Sequence, residues 1–255
     1  MLSASQQKFL TALHVKKYRQ KYLKFTVEGT KMVAELLGQT RVPVVAVYGL
    51  ERWAAENAGR LTPFNQIFNP VTESELKKIS ALSTPNEVLA VAAMPDSAQF
   101  PLPTLAFYLD GVRDPGNLGT MLRIADWFGL GAVYCSADSV DAFSPKVVQA
   151  SMGAVFRVPV LEVDLDVLLA VQPDWPVLGA VLDGENLFSA QLPDTGLLVI
   201  GNEGSGIRPD VNARLTRRLT IPRGPGSGAE SLNASVAAGI LAAFVVGRSV
   251  TSPVK

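Results

Sequence analysis

The 255-residue sequence predicts an α/β protein that is divided into two domains. Apolar residues make up 48% of the chain and charged residues 18%, so the chain can bury a sizeable core. Short apolar runs alternate with helical patterns, and this indicates a mostly parallel sheet that is covered by helices on both faces. A proline-rich, aperiodic segment at residues 96–103 interrupts the alternation, which predicts a linker between domains at 1–95 and 104–255.

The first domain is predicted to be a small α/β unit. Apolar residues at helical spacing predict a helix over residues 5–17, and the basic, aromatic segment 18–24 is expected to form a connector. The capping-box pattern Thr72-x-x-Glu75 predicts a helix that ends at Ile79. The other predicted elements are a helix at 30–37 and strands at 25–27, 42–48 and 87–93.

The second domain continues the alternation of strands and helices. Apolar runs predict strands at 105–109, 132–135, 156–160, 177–182, 197–200 and 219–221. Helical patterns lie at 117–128, 145–151 and 233–246. The uncharged stretch 232–247 is shorter than the roughly 20 apolar residues of a membrane span. We therefore expect no membrane segment and, because the N-terminus lacks an apolar leader, a cytoplasmic protein.

Cysteine and histidine are scarce, which excludes several classes of chemistry. The single cysteine, Cys135, rules out a disulfide framework and a cysteine-rich zinc site. The single histidine, His14, argues against a Ser-His-Asp triad and against a multi-histidine metal site. We therefore expect no metal.

Charge is unevenly distributed along the chain although the formal net charge is zero. Residues 1–40 contain seven basic and two acidic side chains, a net charge of +5, so the remainder carries −5. This asymmetry predicts an anionic partner for the N-terminal end. A solvated, charged surface helix is the alternative interpretation.

Three polar or glycine-rich segments follow apolar strands and lead toward helices: 110–119, 198–207 and 221–236. In open α/β sheets, ligands bind at the carboxyl ends of strands, so these segments are the candidate site. The second contains glycines that let backbone amides approach a ligand closely. Its order of glycines differs from that of a Rossmann fingerprint, and it lacks the Gly-Lys-Ser/Thr of a phosphate-binding loop.

Two charged side chains in these segments are candidates for chemistry. Glu203 lies between glycines in a strand-end loop, where its structural alternative is capping a helix. Arg123 lies about 9 Å along the predicted helix from Asn117. Its structural alternative is an ion pair with Asp126.

Taken together, the three segments closely resemble the motifs of the SpoU (TrmH) family of RNA ribose 2′-O-methyltransferases, which belong to the knotted SPOUT superfamily. The patterns are Asn117-x-Gly119-x-x-x-Arg123, then 200–206, then Ile221-Pro with Ser231-Leu-Asn-x-Ser235. Residues 1–95 look more loosely like the family's N-terminal substrate-binding domain. The resemblance implies a C-terminal domain with a trefoil knot, a small N-terminal α/β domain, S-adenosylmethionine as cofactor, and a homodimer.

The resemblance also implies roles for individual residues of this sequence. The implied catalytic residues are Arg123, Glu203 and Asn233. The implied cofactor-binding residues are Gly201, Asn202, Ile221, Ser231 and Leu232. The implied RNA-binding residues are Lys16, Lys17, Arg19, Asn117 and Arg123. The loop at 223–230 is longer and richer in glycine than the family's common form, which puts its cofactor contacts in doubt.

The resemblance favours methylation of a ribose 2′-oxygen in ribosomal RNA, with transfer RNA as the alternative substrate. An arginine stays protonated at neutral pH, so Arg123 is expected to stabilise developing negative charge rather than to accept the proton. A non-catalytic RNA-binding protein of the same fold is a further alternative, which the loss of Arg123, Glu203 or Asn233 would favour; all three are present. A Rossmann oxidoreductase would need a glycine fingerprint that this sequence does not contain.

Overall fold

A computed structural model describes residues 2–95 and 102–251, with the side chains of the last three left out. Its contacts group these residues into two units. The first contains residues 2–95 and the later segment Asp141–Arg157, and the second contains residues 102–140 and 158–251. Residues 96–101 of the predicted linker lie outside the described residues.

The first unit is built on a four-stranded mixed sheet in the order β1-β4-β2-β3. β4 pairs antiparallel with β1 and β2, and β3 pairs parallel with β2. The strands are β1 (Lys24–Glu28), β2 (Val44–Gly49), β3 (Phe68–Pro70) and β4 (Val88–Ala93). The helices are α1 (Ala4–Ala12), α2 (Lys16–Tyr22), α3 (Thr30–Leu37), α4 (Glu51–Glu56), α5 (Ala58–Leu61) and α6 (Glu73–Ile79). The capping box at Thr72 and the helix end at Ile79 are confirmed.

The expected helix at 5–17 and the connector at 18–24 are wrong. The chain forms two helices that are separated at Val15, whose backbone is extended (φ −105°), and α2 occupies most of the expected connector. α2 ends at Leu23, which adopts the left-handed conformation at φ 50°. The side chain that α2 buries is the charged Arg19, which a search for apolar residues at helical spacing does not detect.

The second unit contains a six-stranded sheet in the order β10-β8-β9-β5-β6-β7. Every neighbouring pair is parallel, as the apolar runs predict. The strands are β5 (Leu105–Leu109), β6 (Ala132–Cys135), β7 (Val160–Glu162), β8 (Val177–Asn186), β9 (Gly196–Ile200) and β10 (Arg217–Thr220). The helices are α7 (Pro115–Phe128), α9 (Leu165–Val171), α10 (Pro209–Asn212) and α11 (Ala234–Thr251), while α8 (Pro145–Ala150) belongs to the first unit.

The segment Asp141–Arg157 leaves the second unit after β6 and packs within the first. Phe143 and Phe156 lie 4.9 and 6.5 Å from Phe25 between ring centroids. The strand expected at 156–160 is therefore wrong at its start: residues 154–156 form a 3₁₀ turn, and β7 begins at Val160. The apolar Phe156 that suggested a strand is instead buried in the core of the first unit.

Tyr108 and Tyr134 lie in the core of the second unit, against Trp175 and α9. The Tyr108 hydroxyl accepts a hydrogen bond from the Leu165 amide, and burial raises the pKa of Tyr108 to about 12. Among the described residues, no helix is long and apolar enough to cross a membrane. The same residues contain no cluster of side chains suited to a metal ion.

Candidate active site

The candidate site lies at the carboxyl ends of the central strands of the second unit. The loop after β5 runs from Asp110 to Asp114, whose side chain caps α7 by accepting the Asn117 amide at 2.8 Å. Proline at the first position of α7 suits this cap because it has no amide hydrogen to satisfy. The cap sets Asn117 at the start of α7, where its side chain is 9% exposed.

Asn117 joins the three sequence motifs through side-chain hydrogen bonds. Its Nδ2 donates to Oε1 of Glu203 at 2.5 Å, and its Oδ1 accepts from Nδ2 of Asn233 at 3.0 Å. Both ends of one amide are thus bonded, one to the carboxylate of the second motif and one to the amide of the third. This arrangement fixes the orientation of Glu203. It also excludes the helix-capping alternative for Glu203, since α10 begins only at Pro209.

Asn233 has a second role at the start of α11. Its Oδ1 accepts hydrogen bonds from the Ser235 amide at 2.9 Å and the Ser235 hydroxyl at 2.7 Å. These bonds satisfy donors that a helix N-terminus leaves open. Because the oxygen of Asn233 is used in this way, its Nδ2 is the group turned toward Asn117.

The glycine-rich loop after β9 is held closed by its own backbone. Asn202 and Gly206 exchange two backbone hydrogen bonds at 2.9 and 3.0 Å, and the Asn202 side chain donates to the Gly111 carbonyl at 2.8 Å. A Cβ at Gly201 would lie 2.3 Å from the backbone carbon of Gly206. Glycine is therefore required at 201 by close backbone approach.

A buried carboxylate anchors the far end of the same loop. Asp110 is fully buried and accepts from the backbone amide and from Nε of Arg208, both at 2.7 Å. Beside it, a hydrogen bond from the Ser136 hydroxyl, helped by the charge of Arg208, holds the pKa of Asp138 below its usual range. The sequence motifs do not identify Asp110 and Arg208 as partners. The available signal was an aspartate directly after a buried strand.

The middle of β8, the loops after β9 and β10 and the start of α11 line an open cavity of about 870 Å³. Its lining includes all five residues that the sequence singled out for cofactor binding: Gly201, Asn202, Ile221, Ser231 and Leu232. It also includes Glu203, most of the 223–230 loop, and Leu182, which the sequence did not single out. Leu182 is 70% exposed and Leu232 is 46% exposed, so the cavity offers uncovered apolar surface.

Arg123 lies on the exposed side of α7, one helical turn before Trp127. Among the described residues it is not part of the cavity lining and forms no hydrogen bond or ion pair, so the alternative of an ion pair with Asp126 is not realised. Its neighbours Leu118, Met121 and Leu122 are buried, which leaves the guanidinium toward solvent.

Two residues for which the resemblance implies RNA binding, Arg19 and Asn117, are buried. Arg19 is 2% exposed, and its guanidinium donates to Asp141 at 2.9 Å and to the Leu13 carbonyl at 2.8 Å. Asn117 has both ends of its amide bonded inside the second unit. Lys17 is exposed and Lys16 is half-buried.

Comparison with known families assigns both parts of the chain. A model of the SpoU rRNA Methylase family matches residues 104–243, and a model of an MRM3-like substrate binding domain matches residues 5–90. The 23S rRNA (guanosine(2553)-2′-O)-methyltransferase RlmP of Bacillus subtilis is 32% identical over 247 residues, which covers 90% of this chain and 91% of RlmP.

Solved structures agree over nearly the whole length. A protein from Porphyromonas gingivalis that is assigned to the TrmH family is 40% identical, with a TM-score of 0.83 over 97% of this chain and 99% of that one. An rRNA methyltransferase from Sinorhizobium meliloti, solved with bound AdoMet, is 25% identical, with a TM-score of 0.81 over 99% of this chain and 98% of that one. With its three motifs joined through Asn117 and a family model spanning more than half of its length, this chain belongs to the SpoU rRNA methylase family.

Proposed function

We propose that this protein methylates the 2′-oxygen of a ribose in ribosomal RNA and that it uses S-adenosylmethionine as its cofactor. The observation that carries the proposal is the hydrogen-bonded chain Asn233–Asn117–Glu203 beside a glycine-walled cavity. RlmP and the Sinorhizobium meliloti protein, which resemble this chain along most of its length, are both rRNA methyltransferases by name.

The cavity fits an adenosyl cofactor. Its volume of about 870 Å³ lies within the usual range for small-molecule sites. The exposed faces of Leu182 and Leu232 can cover a flat adenine, while the backbone around Gly201 and Ile221 offers hydrogen-bonding groups. Ser231 and Asn202 add polar groups at the rim. When bound, S-adenosylmethionine supplies an activated methyl group for transfer to the ribose oxygen.

Within this proposal, Arg123 binds the RNA backbone and stabilises the negative charge that develops on the ribose 2′-oxygen. It is exposed, without a hydrogen-bonding or ionic partner in the described part of the chain, and on a helix anchored at its start by the Asp114 cap. A planar guanidinium can bind a phosphate with two parallel hydrogen bonds. Glu203, oriented by Asn117, and Asn233 complete the proposed catalytic set.

The assembly, knot and compartment complete the proposal. Trp127 on α7 is 84% exposed and Val236 on α11 is 49% exposed, and such apolar surface supports a homodimer. Sedimentation should give a dimer, and Trp127→Glu should shift it toward monomer.

We propose a trefoil knot in the second unit because that is the family's fold, and the cytoplasm as the compartment. Residues 1–95 are proposed as the RNA-binding domain.

The experiment is methyl transfer from labelled S-adenosylmethionine to two purified substrates, ribosomal RNA and transfer RNA. The expected result is incorporation into ribosomal RNA at a ribose 2′-oxygen, mapped by its resistance to alkaline cleavage. Incorporation into transfer RNA alone would favour the alternative substrate. Binding of RNA without any transfer would overturn the enzymatic proposal.

A further inference from the structure

The short helix α2 of the first unit has exposed aromatic residues that take no part in the proposed methyl transfer. Val15, Tyr18, Tyr22 and Leu23, here called the tyrosine face, lie at or next to α2 at helical spacing and are 37–64% exposed. Arg19, which lies between the two tyrosines in sequence, is buried. Tyr18 and Tyr22 are 38% and 37% exposed and one turn apart, so part of each side chain is accessible to a ligand.

The two rings form a preorganised surface. The planes of Tyr18 and Tyr22 are within 15° of parallel, with centroids 6.3 Å apart. Phe9 of α1 packs against Tyr22 in an edge-to-face arrangement, with the two ring centroids 5.2 Å apart. In the described part of the chain, Tyr22 provides the only ring that pairs with Tyr18, and Tyr18 keeps 38% of its surface exposed.

The charge around the tyrosine face is positive. Lys17 and Lys21 are exposed on α2, and the Lys21 ammonium lies 5.6 Å from the centre of the Tyr22 ring. Neither α1 nor α2 contains an acidic residue. The carboxylate of Asp141, which contacts α2, is paired with Arg19. Flat aromatic rings among lysines suit an unpaired nucleotide, with its base on a ring and its phosphates near the ammonium groups.

We infer that the tyrosine face binds an unpaired base of the substrate RNA, with Tyr18 as the stacking residue and Lys17 and Lys21 on the flanking phosphates. The inference rests on the proposed function in taking RNA as the ligand. It adds that the first unit selects RNA with a single-stranded loop or bulge, because the bases of a duplex are already stacked and cannot cover Tyr18.

The test compares Tyr18→Ala with Tyr18→Phe by fluorescence polarisation. The probes are a labelled single-stranded RNA of about 12 nucleotides and a perfect RNA duplex of about 16 base pairs. We expect Tyr18→Ala to weaken single-strand binding roughly 5- to 100-fold, the range for losing one stacked base, and to leave duplex binding unchanged. Tyr18→Phe keeps the ring and should bind as the native protein does.

Val167→Ala, which removes an exposed apolar side chain in the second unit, is the matched control. Equal binding of the single strand by native protein and Tyr18→Ala overturns the inference, as does an equal loss on both probes. If the tyrosine face binds a protein instead of RNA, Tyr18→Ala should bind the single strand as the native protein does.

Methylation separates this inference from the proposed function. If the native protein methylates ribosomal RNA, Tyr18→Ala should raise KM and leave kcat unchanged. If the native protein transfers no methyl group but binds single strands in a Tyr18-dependent way, the proposed function fails and the inference stands.

Discussion

The two units of this protein offer binding surfaces of different construction. In the second unit the cavity is lined by glycine-rich loops at the ends of parallel strands, and its Glu203 is held by the buried amide of Asn117. In the first unit the candidate RNA surface consists of exposed side chains on a single short helix, α2. The first kind of site leaves a fixed pattern of residue types in the sequence, whereas the second depends on which side of a helix is buried.

The difference is clearest in one stretch of basic residues. Lys17 and Arg19 are two positions apart and indistinguishable as members of a basic cluster. In the structure Lys17 is exposed, whereas the Arg19 side chain is 3% exposed and paired with Asp141. Charge pattern alone therefore predicts a basic surface without saying which cations form it.

The largest expected effect is a loss of stability in Arg19→Ala that Lys17→Ala should not show. Arg19→Ala leaves Asp141 without its partner at a site where the carboxylate is 13% exposed. Loss of one partner of a buried ion pair typically costs about 3–5 kcal/mol. We expect the free energy of unfolding of the first unit to fall by about that amount, measured by hydrogen exchange of the β1 and β4 amides.

Lys17→Ala is the matched control for this variant. It should change stability by less than about 0.5 kcal/mol, as is usual for an exposed position. Equal stability of the two variants would show that the Arg19–Asp141 pair contributes nothing to the first unit.

The second prediction concerns catalysis in the second unit. Arg123→Ala should lower single-turnover methylation about 100-fold or more, the loss typical of removing one donor to a developing oxyanion. Arg123→Lys should recover little of it, because a point charge does not reproduce the planar guanidinium. S-adenosylmethionine affinity, measured by calorimetry, should stay at its native value.

Arg214→Ala, at an exposed arginine of the second unit outside the cavity lining, controls for loss of surface charge. A native methylation rate in Arg123→Ala, accompanied by a lower melting temperature, would make Arg123 a structural residue.

The third prediction tests whether the cavity depends on backbone approach. Gly201→Ala places a methyl group 2.3 Å from backbone, so the loop must shift. Overpacking of this kind typically costs about 1–3 kcal/mol, and we expect the affinity for S-adenosylmethionine to fall at least about tenfold. At Gly204 the nearest atom to an added Cβ is 3.6 Å away, so Gly204→Ala should bind as the native protein does. Equal affinities would locate cofactor binding outside this loop.

The smallest expected effect is on the salt dependence of RNA binding. Lys17 and Lys21 are the exposed cations of α2. Changing both to alanine should flatten the log–log salt slope by roughly 0.7–0.9 for each phosphate that the protein no longer neutralises. Cofactor affinity should be unaffected. An unchanged slope in a salt titration would mean that these lysines are solvated and bind no phosphate.

Sequence reasoning reached furthest where chemistry constrains residue type. The parallel strands, the capping box at Thr72 and the family were predictable because apolar runs and glycine spacing have few other uses. The hydrogen bonds that join Asn117 to Glu203 and Asn233 each span more than 80 residues of sequence, and local sequence patterns do not predict them. The burial of Arg19 and of Phe156 was not predictable, because both side chains pack against residues distant in sequence.

The return of Asp141–Arg157 to the first unit has a consequence for biosynthesis. As the chain emerges from the ribosome, residues 2–95 appear well before Phe143 and Phe156, which pack on Phe25, and before the carboxylate of Asp141 that neutralises Arg19. The first unit therefore cannot complete its core until residue 157 has been synthesised. For the same reason, recombination at the linker would transfer the first unit without its segment Asp141–Arg157. An exchange that preserves the first unit must include both residues 2–95 and that segment.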